Sequence, residues 1–435
     1  MTDKKTTSNR EKGKYGIAID IGSTTLGAAL VELASSKRLA ATSLPNSQRV
    51  YGSDVLARIE KINSNPSLLL EMQDSVRESC NKMISVVLTE ADVKREDIAE
   101  VSAAGNSVMQ HIFMGVSPEP MGRVPYKPAF KDSKFITTGD VGLTLRSNTP
   151  FYLFPMIGGF VGGDAVSVAL AEGMIDSKEN TLIIDIGTNS EILLSTADGL
   201  FAAAAAAGPA FEGGQIESGM TAEKGAITAV HISGDTVTLD VIGAVTPIGI
   251  CGSGIIDVIT ALLKADIIEP GGRIKTRAEI PTNLSTRITE SSDGNSFTLF
   301  KGPEGTITVS QADVRALQVA KAAIRAGISI VLGKAGVTPA KVKKILVAGA
   351  FGSNITEAGL CGIGLFDGNW LGQSRSIGNA VLDGASLTLC SDAQRAKADE
   401  IGKITKYVSL SGSKHFEQEF ISRINFPEPP EQGGA

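Results

Sequence analysis

Cysteine is scarce in this sequence: Cys80, Cys251, Cys361 and Cys390 are the only four in 435 residues, widely spaced and without a CxxC pair. That excludes a disulfide framework and leaves no self-contained zinc or ferredoxin-type site. The three histidines, His111, His231 and His415, are too scattered for a metal triad. Aromatic residues amount to 5%, with a single Trp, whereas glycine numbers 48, so close backbone approach replaces bulky rings. There is no excess of basic charge. Lys and Arg total 41 against 47 Asp and Glu, a formal net charge of −6, which excludes the basic stripe a nucleic-acid partner requires. Long apolar runs are also missing: the charge-free stretches 101–118 and 241–256 contain Gly, Pro and polar residues. No apolar segment follows the basic N-terminal start, so no membrane segment and a cytoplasmic location are expected.

What remains is 42% apolar and 20% charged, enough for two cores. Residues 1–14 and 426–435 are polar without period and read as flexible tails. Tyr15 to Ile21 reads as a buried strand, Gly22-Ser23-Thr24-Thr25 as a tight turn and Leu26 to Glu32 as the returning strand. The same unit recurs 165 residues later in Thr181 to Ile186, Gly187-Thr188-Asn189-Ser190 and Glu191 to Thr196, so Asp20 maps on Asp185. A third strand candidate follows each hairpin. The duplication predicts two related α/β lobes: 15–175, with an inserted segment at about 103–150, and 176–425, whose C-terminal helices are left open to return to the first lobe. Helical period marks Pro66 to Glu90, Ser107 to Met114, Asp164 to Gly173, Gly254 to Ala265 and Ser310 to Lys334.

A D-x-G-[ST] hairpin tip suits phosphate. Glycine lets the backbone approach, N–H groups and hydroxyls donate to phosphoryl oxygens, and the adjacent carboxylate holds hydrated Mg²⁺. Two copies, followed by a strand and the loop Gly349-Ala350-Phe351-Gly352, resemble the actin, sugar-kinase and heat-shock ATPase superfamily. The resemblance implies duplicated ribonuclease-H-like lobes with an ATP cleft between them. It assigns phosphate to Gly22, Ser23, Thr24, Thr25, Gly187, Thr188 and Asn189, Mg²⁺ through water to Asp20 and Asp185, and adenosine to Gly349–Gly352. Asp164, in Gly162-Gly163-Asp164, falls where an acid positions metal or attacking water, with Glu191 as its rival. Lys321 and Arg325, four apart, stand where adenosine contacts occur, against the alternative of a solvated basic face. Ser253 reads as the N-cap of the helix from Gly254, a terminus also suited to phosphate.

A narrower resemblance rests on Ala104 to His111 (AGNSVMQH), Pro118 to Arg123 (PEPMGR), Gly208 to Gly213 (GPAFEG) and Gly249 to Gly254 (GICGSG), together with DIGTNSEI, GGFVGGD and AGAFGSNI. These segments resemble the reductive activators of corrinoid enzymes. The resemblance implies an ATP-dependent return of Co(II) to Co(I) in a corrinoid protein of a methyltransferase or O-demethylase system. Relatives usually carry an iron–sulfur module beside the ATPase part; no iron–sulfur cluster is expected on this chain, so a separate ferredoxin-like donor is. Cys251 as a cluster ligand bridging a homodimer is the alternative to a buried thiol, and a homodimer is left open. The run Ala202 to Ala207 departs from the family pattern, which bears on any direct contact to cobalt. A small-molecule kinase and a nucleotide-switched interaction protein share the clamp and are the competing readings.

Overall fold

The computed structural model describes residues 14–303, 305–349 and 355–428; Ala350, Phe351 and Gly352 lie outside them. The apolar run Tyr15–Ile21 is β1, followed by β2 (Thr25–Glu32) and β3 (Lys37–Pro45). Helices α1 (Val55–Ser64) and α2 (Leu68–Glu90), strand β4 (Ile98–Gly105), helix α3 (Ser107–Phe113), strands β5 (Lys134–Thr137) and β6 (Pro150–Leu153) and helix α4 (Gly163–Ala171) come next. The second hairpin is β7 (Thr181–Asp185) and β8 (Asn189–Thr196), with β9 (Gly199–Ala206) after it. Strands β10 (Ala226–Ser233), β11 (Thr236–Val241) and β12 (Gly249–Ile250) form one small sheet, helix α5 (Gly252–Lys264) follows, and strands β13 (Ile288–Thr289), β14 (Ser296–Gly302) and β15 (Gly305–Ser310) form another. The long helix α6 (Gln311–Lys334), β16 (Lys344–Ala348), α7 (Glu357–Gly362), β17 (Ser374–Gly378), α8 (Ala380–Cys390), α9 (Asp392–Ile404), β18 (Lys406–Tyr407) and α10 (Lys414–Ser422) complete the chain.

Two compact units result, and neither is a continuous stretch. One comprises residues 1–178, 195–202 and 379–407, the other 179–194, 203–378 and 408–435. The helices α8 and α9 thus group with the N-terminal residues. The two six-stranded sheets share one strand pattern. The first large sheet runs β3-β2-β1-β4-β6-β5 and the second β17-β16-β7-β8-β9-β18. In both, the hairpin's first strand is flanked on its other side by a parallel strand, β4 beside β1 and β16 beside β7, and that strand by another parallel one, β6 or β17.

Strand β1 is buried on both faces because helices cover both sides of its sheet. Ile17, Ile19 and Ile21 share a core with Val76, Met83, Ile84 and Val87 of α2. By strand alternation Gly16, Ala18 and Asp20 face the other way. A side chain at Gly16 would meet Leu389 of α8 at 3.1 Å. Helix α8 in turn lies directly on α4: a β-carbon at Gly384 would fall 2.0 Å from the Ser167 carbonyl oxygen, and the Ser167 hydroxyl donates to Val381 O at 2.8 Å.

Helix α6 has the length and apolar composition to cross a membrane, yet 78% of its apolar window is buried in the fold. Its start bears the capping box that the sequence predicts from Ser310 and Asp313. The N-cap expected at Ser253 is corrected. Cys251 caps α5 with extended backbone, held there because its N–H donates to Ile227 O at 3.2 Å, so the helix begins at Gly252 and Ser253 lies inside its first turn.

Candidate functional site

In the first hairpin a side chain at Gly22 would lie 2.2 Å from the Thr25 carbonyl oxygen, so glycine alone closes this turn. The turn's carbonyls are held by side chains and backbone from elsewhere in the unit. Asn46 Nδ2 donates to Gly22 O at 2.8 Å, Asn46 N to Thr24 O at 2.9 Å and Arg58 Nη2 to Ser23 O at 2.7 Å. Arg58 is fully buried, with Gly52 O and Gln48 Oε1 as its further oxygen acceptors. Burial lowers its pKa to about 10 against the attraction of Asp54, so the guanidinium stays a cation at neutral pH. Asp20, on the α8 face of β1, accepts a hydrogen bond from Asn379 Nδ2 at 3.0 Å. Asn379 also caps α8, accepting from Leu382 N at 3.2 Å.

Asp164 opens α4 and accepts from Ala165 N at 2.8 Å. The preceding Gly162 presses on the end of β4: its β-carbon would come within 2.3 Å of Gly105 O and 2.5 Å of Ser107 N. The two segments GNS and GGD, far apart in sequence, are therefore in contact.

In the second unit Asp185 ends β7, in register with Ala348 of β16, and a β-carbon on Gly349, where φ is 90°, would lie 2.6 Å from Asp185 Oδ1. The described start of the expected adenosine loop thus abuts the expected metal acid. Burial first, and then the Glu212 carboxylate, raise Asp185 to about 6. Gly187 N donates to the Ser190 hydroxyl at 3.2 Å, and that hydroxyl to Gly187 O at 2.9 Å. Thr188 donates twice to Glu212 Oε1, from its N–H at 2.8 Å and its hydroxyl at 2.9 Å. Asn189 Nδ2 is buried with no hydrogen-bond partner among the described residues. Glu191, three residues into β8, is 8% exposed.

Lys321 and Arg325 do not form a solvated basic face, which corrects that alternative: they are 1% and 5% exposed. Lys321 Nζ donates to Asn425 O and lies 5.3 Å over the Phe426 ring; Arg325 Nη2 meets Asp367 Oδ2 at 3.3 Å and its guanidinium lies over Trp370. Both hold the C-terminal segment and the loop at Asp367. Burial, with Arg423 and Arg325, lowers Lys321 to about 7. Ser253 lines a cavity of about 420 Å³ with Thr228, Asp257 and Thr356.

The four cysteines are unbridged, and no group of three or more metal-ligating side chains occurs among the described residues. Cys251 is fully buried, its thiol 3.2 Å from Ile227 O and 3.3 Å from Ser253 Oγ. His111 is locked in the core: Ala129 N donates to Nε2 at 3.0 Å, so Nδ1 carries the proton that Ser107 O accepts at 2.7 Å.

Sequence reasoning missed Arg58, Asn379 and Glu212. Asn379 had a local signal, an Asn directly before a helix. Arg58 acts across 35 residues with no pattern to announce it; Glu212 lies in the GPAFEG segment, but its bond to Thr188, 24 residues away, leaves no local signal.

Residues 15–177 match the RACo middle region, and residues 179–432 match the C-terminal domain of RACo, the ASKHA domain. The chain belongs to the RACo family. It is similar to the corrinoid activation enzyme RamQ of Eubacterium limosum, 33% identical over 96% of this chain and 71% of that protein. A [Co(II) methylated amine-specific corrinoid protein] reductase of Methanosarcina barkeri is 22% identical over 95% of this chain and 77% of that one. The solved reductive activator for corrinoid, iron–sulfur protein superposes with a TM-score of 0.84 at 34% identity, covering 96% of this chain and 66% of that structure. The ASKHA fold, actin-like and duplicated, is thereby that of this RACo-family chain.

Proposed function

We propose that this protein is an ATP-dependent reductive activator that returns the inactive Co(II) form of a partner's corrinoid to Co(I), in a methyltransferase or O-demethylase system of the cytoplasm. The family membership and the two relatives whose names describe corrinoid activation and reduction support this reading. The observation that carries its nucleotide half is the second hairpin, where a buried amide donor, Asn189 Nδ2, has no hydrogen-bond partner among the described residues. An orphaned donor in a glycine turn fits a phosphoryl oxygen.

In this reading the turns Gly22–Thr25 and Gly187–Asn189 take phosphate, and Asp20 and Asp185 hold waters of Mg²⁺, which when bound neutralises phosphate charge. Asn379 keeps Asp20 oriented, and Arg58 and Asn46 fix the first turn. Asp164, at a helix start, or Glu191, inside a strand, positions the attacking water. The cavity beside Ser253 and Thr356 lies within the size range of small-ligand sites and suits the nucleoside, and Gly349–Gly352 is the segment the superfamily resemblance assigns to adenosine. Lys321 and Arg325 are better accounted for as anchors of the C-terminal segment.

ATP hydrolysis yields ADP and phosphate, and one electron converts Co(II) to Co(I). The electron comes from a low-potential, ferredoxin-like donor, since the scattered cysteines of this chain offer no cluster spacing. Hydrolysis biases the conformation in which the corrinoid accepts that electron. Anaerobic spectroscopy of a Co(II) corrinoid protein with this chain, reductant and ATP tests it: Co(I) appearing only with ATP supports the proposal. Equal reduction with and without ATP, or a phosphorylated metabolite in place of Co(I), overturns it.

A further inference from the structure

The segment Gly208–Gly213 leaves the second sheet after β9, and a short 3-10 helix, Pro209–Glu212, runs between two glycines with positive φ, 77° at Gly208 and 73° at Gly213. Its near end is fixed by main-chain bonds: the N–H groups of Ala207 and Gly208 donate to Thr188 O at 3.1 and 3.0 Å. At its far end Glu212 turns back to the same residue and takes both the N–H and the hydroxyl of Thr188 on a single carboxylate oxygen. A β-carbon at Gly187 would lie 3.4 Å from that oxygen, so the carboxylate rests against the open side of the glycine turn.

A backbone N–H makes one strong hydrogen bond at a time. A phosphoryl oxygen approaching this turn needs the donors that Glu212 holds, and an anionic phosphate and an anionic carboxylate do not share them. One carboxylate oxygen accepting an N–H and an O–H reproduces the contacts of one phosphoryl oxygen. We propose that Glu212 is a latch displaced by phosphate: its carboxylate holds Thr188 until the nucleotide takes over the two donors, and the displaced Glu212 carries the segment Gly208–Gly213 with it about its two glycine pivots. This rests on the reading of Gly187–Asn189 as a phosphate turn. It makes the segment an element whose position reports the occupancy of that turn. Glu212 is a positioning residue here, and the hydrolytic step does not run through it.

The test is fluorescence titration of the full chain with an ATP analogue and Mg²⁺, in parallel with hydrogen–deuterium exchange over residues 207–214. Glu212→Gln keeps the shape and removes the charge that competes with phosphate, so the analogue should bind roughly 5- to 10-fold more tightly, the difference between a charged and a neutral acceptor. Exchange across 207–214 should rise on nucleotide addition in the unsubstituted chain and change little in Glu212→Gln, where the segment is already loosened. Glu212→Asp, which keeps the charge but shortens the reach, should lie between them in affinity. Unchanged or weaker binding by Glu212→Gln overturns the latch, and weaker binding would assign Glu212 to the Mg²⁺ waters instead. No binding by the unsubstituted chain removes the phosphate turn itself, a different failure from that of the latch.

Discussion

The two hairpins repeat one another in sequence and take the same place in their sheets, yet a carboxylate holds the donors of the second turn alone. In Gly22–Thr25 the protein engages carbonyls, through Asn46 and a fully buried Arg58. In Gly187–Asn189 donors are engaged as well as carbonyls: Glu212 and the Ser190 hydroxyl accept from Thr188 and Gly187; Ser190, Ala207 and Gly208 donate to the carbonyls of Gly187 and Thr188; and Asn189 Nδ2 has no partner among the described residues. Asp20 receives a neutral amide from Asn379, whereas Asp185 lies beside a second carboxylate that raises its pKa. Duplication preserved the strands and the acid; the electrostatic surroundings diverged. Under the latch proposed above, the second turn is the one that exchanges partners.

The largest expected effect breaks the equivalence of the acids. Asp20→Ala and Asp185→Ala should each lower ATP-dependent Co(I) formation by about 100-fold or more. Asp185→Asn, by removing one of two neighbouring carboxylates, should also raise the melting temperature, whereas Asp20→Asn should not. Thermal melts beside activity assays would show whether the asymmetry is real. Next, Arg58→Met strips the carbonyls of Ser23 and Gly52 of a buried donor and should destabilise the protein by ~2–4 kcal/mol in denaturant unfolding. A loss below ~1 kcal/mol would mean that the first turn does not depend on this brace. Asn379→Ala removes a helix cap worth ~1 kcal/mol and loosens Asp20, so nucleotide affinity should fall roughly 3- to 10-fold, measurable by titration.

A separate effect, of pH on stability alone, concerns Lys321. Its pKa drops from 10.5 to about 7 on folding, so between those values the unfolded chain takes up a proton that the folded chain refuses. Stability should therefore decline as pH falls from about 10 to 7 and stop declining below that range. Lys321→Met should remove this part of the dependence, with its stabilising effect largest near pH 7 and vanishing toward pH 10. Urea titrations at three pH values would check it.

Much of the fold was legible because it is written in local patterns. The run YGIAIDI is β1 to the residue, and Ser310 and Asp313 form the box their spacing announces. The repeat placed Asp20 and Asp185 at matching strand ends. The sequence did not announce the relation between β4 and β16, whose ends, Ala104-Gly105 and Ala348-Gly349, take the same place beside the two acids, because parallel neighbours are joined only through long crossovers. Nor could it give the helix start at Cys251, which depends on a bond to Ile227 twenty-four residues away. Lys321 and Arg325 were read by helical spacing, which describes one face of a helix but not the Phe426 and Trp370 rings that cover it.

The return of α8 to the first unit has a consequence for how the protein is made. This helix covers the face of β1 and β4 opposite α2, and its Asn379 completes the surroundings of Asp20. A nascent chain emerging N-terminus first holds residues 15–178 long before residues 379–407 exist, so one side of its first sheet waits with only α4 to cover it while some two hundred residues are translated. Apolar strands exposed for that interval invite chaperone capture. A fragment ended at residue 178 would remain in that condition permanently, which makes α8 and α9 the parts to co-express if the N-terminal half is to be obtained in soluble form.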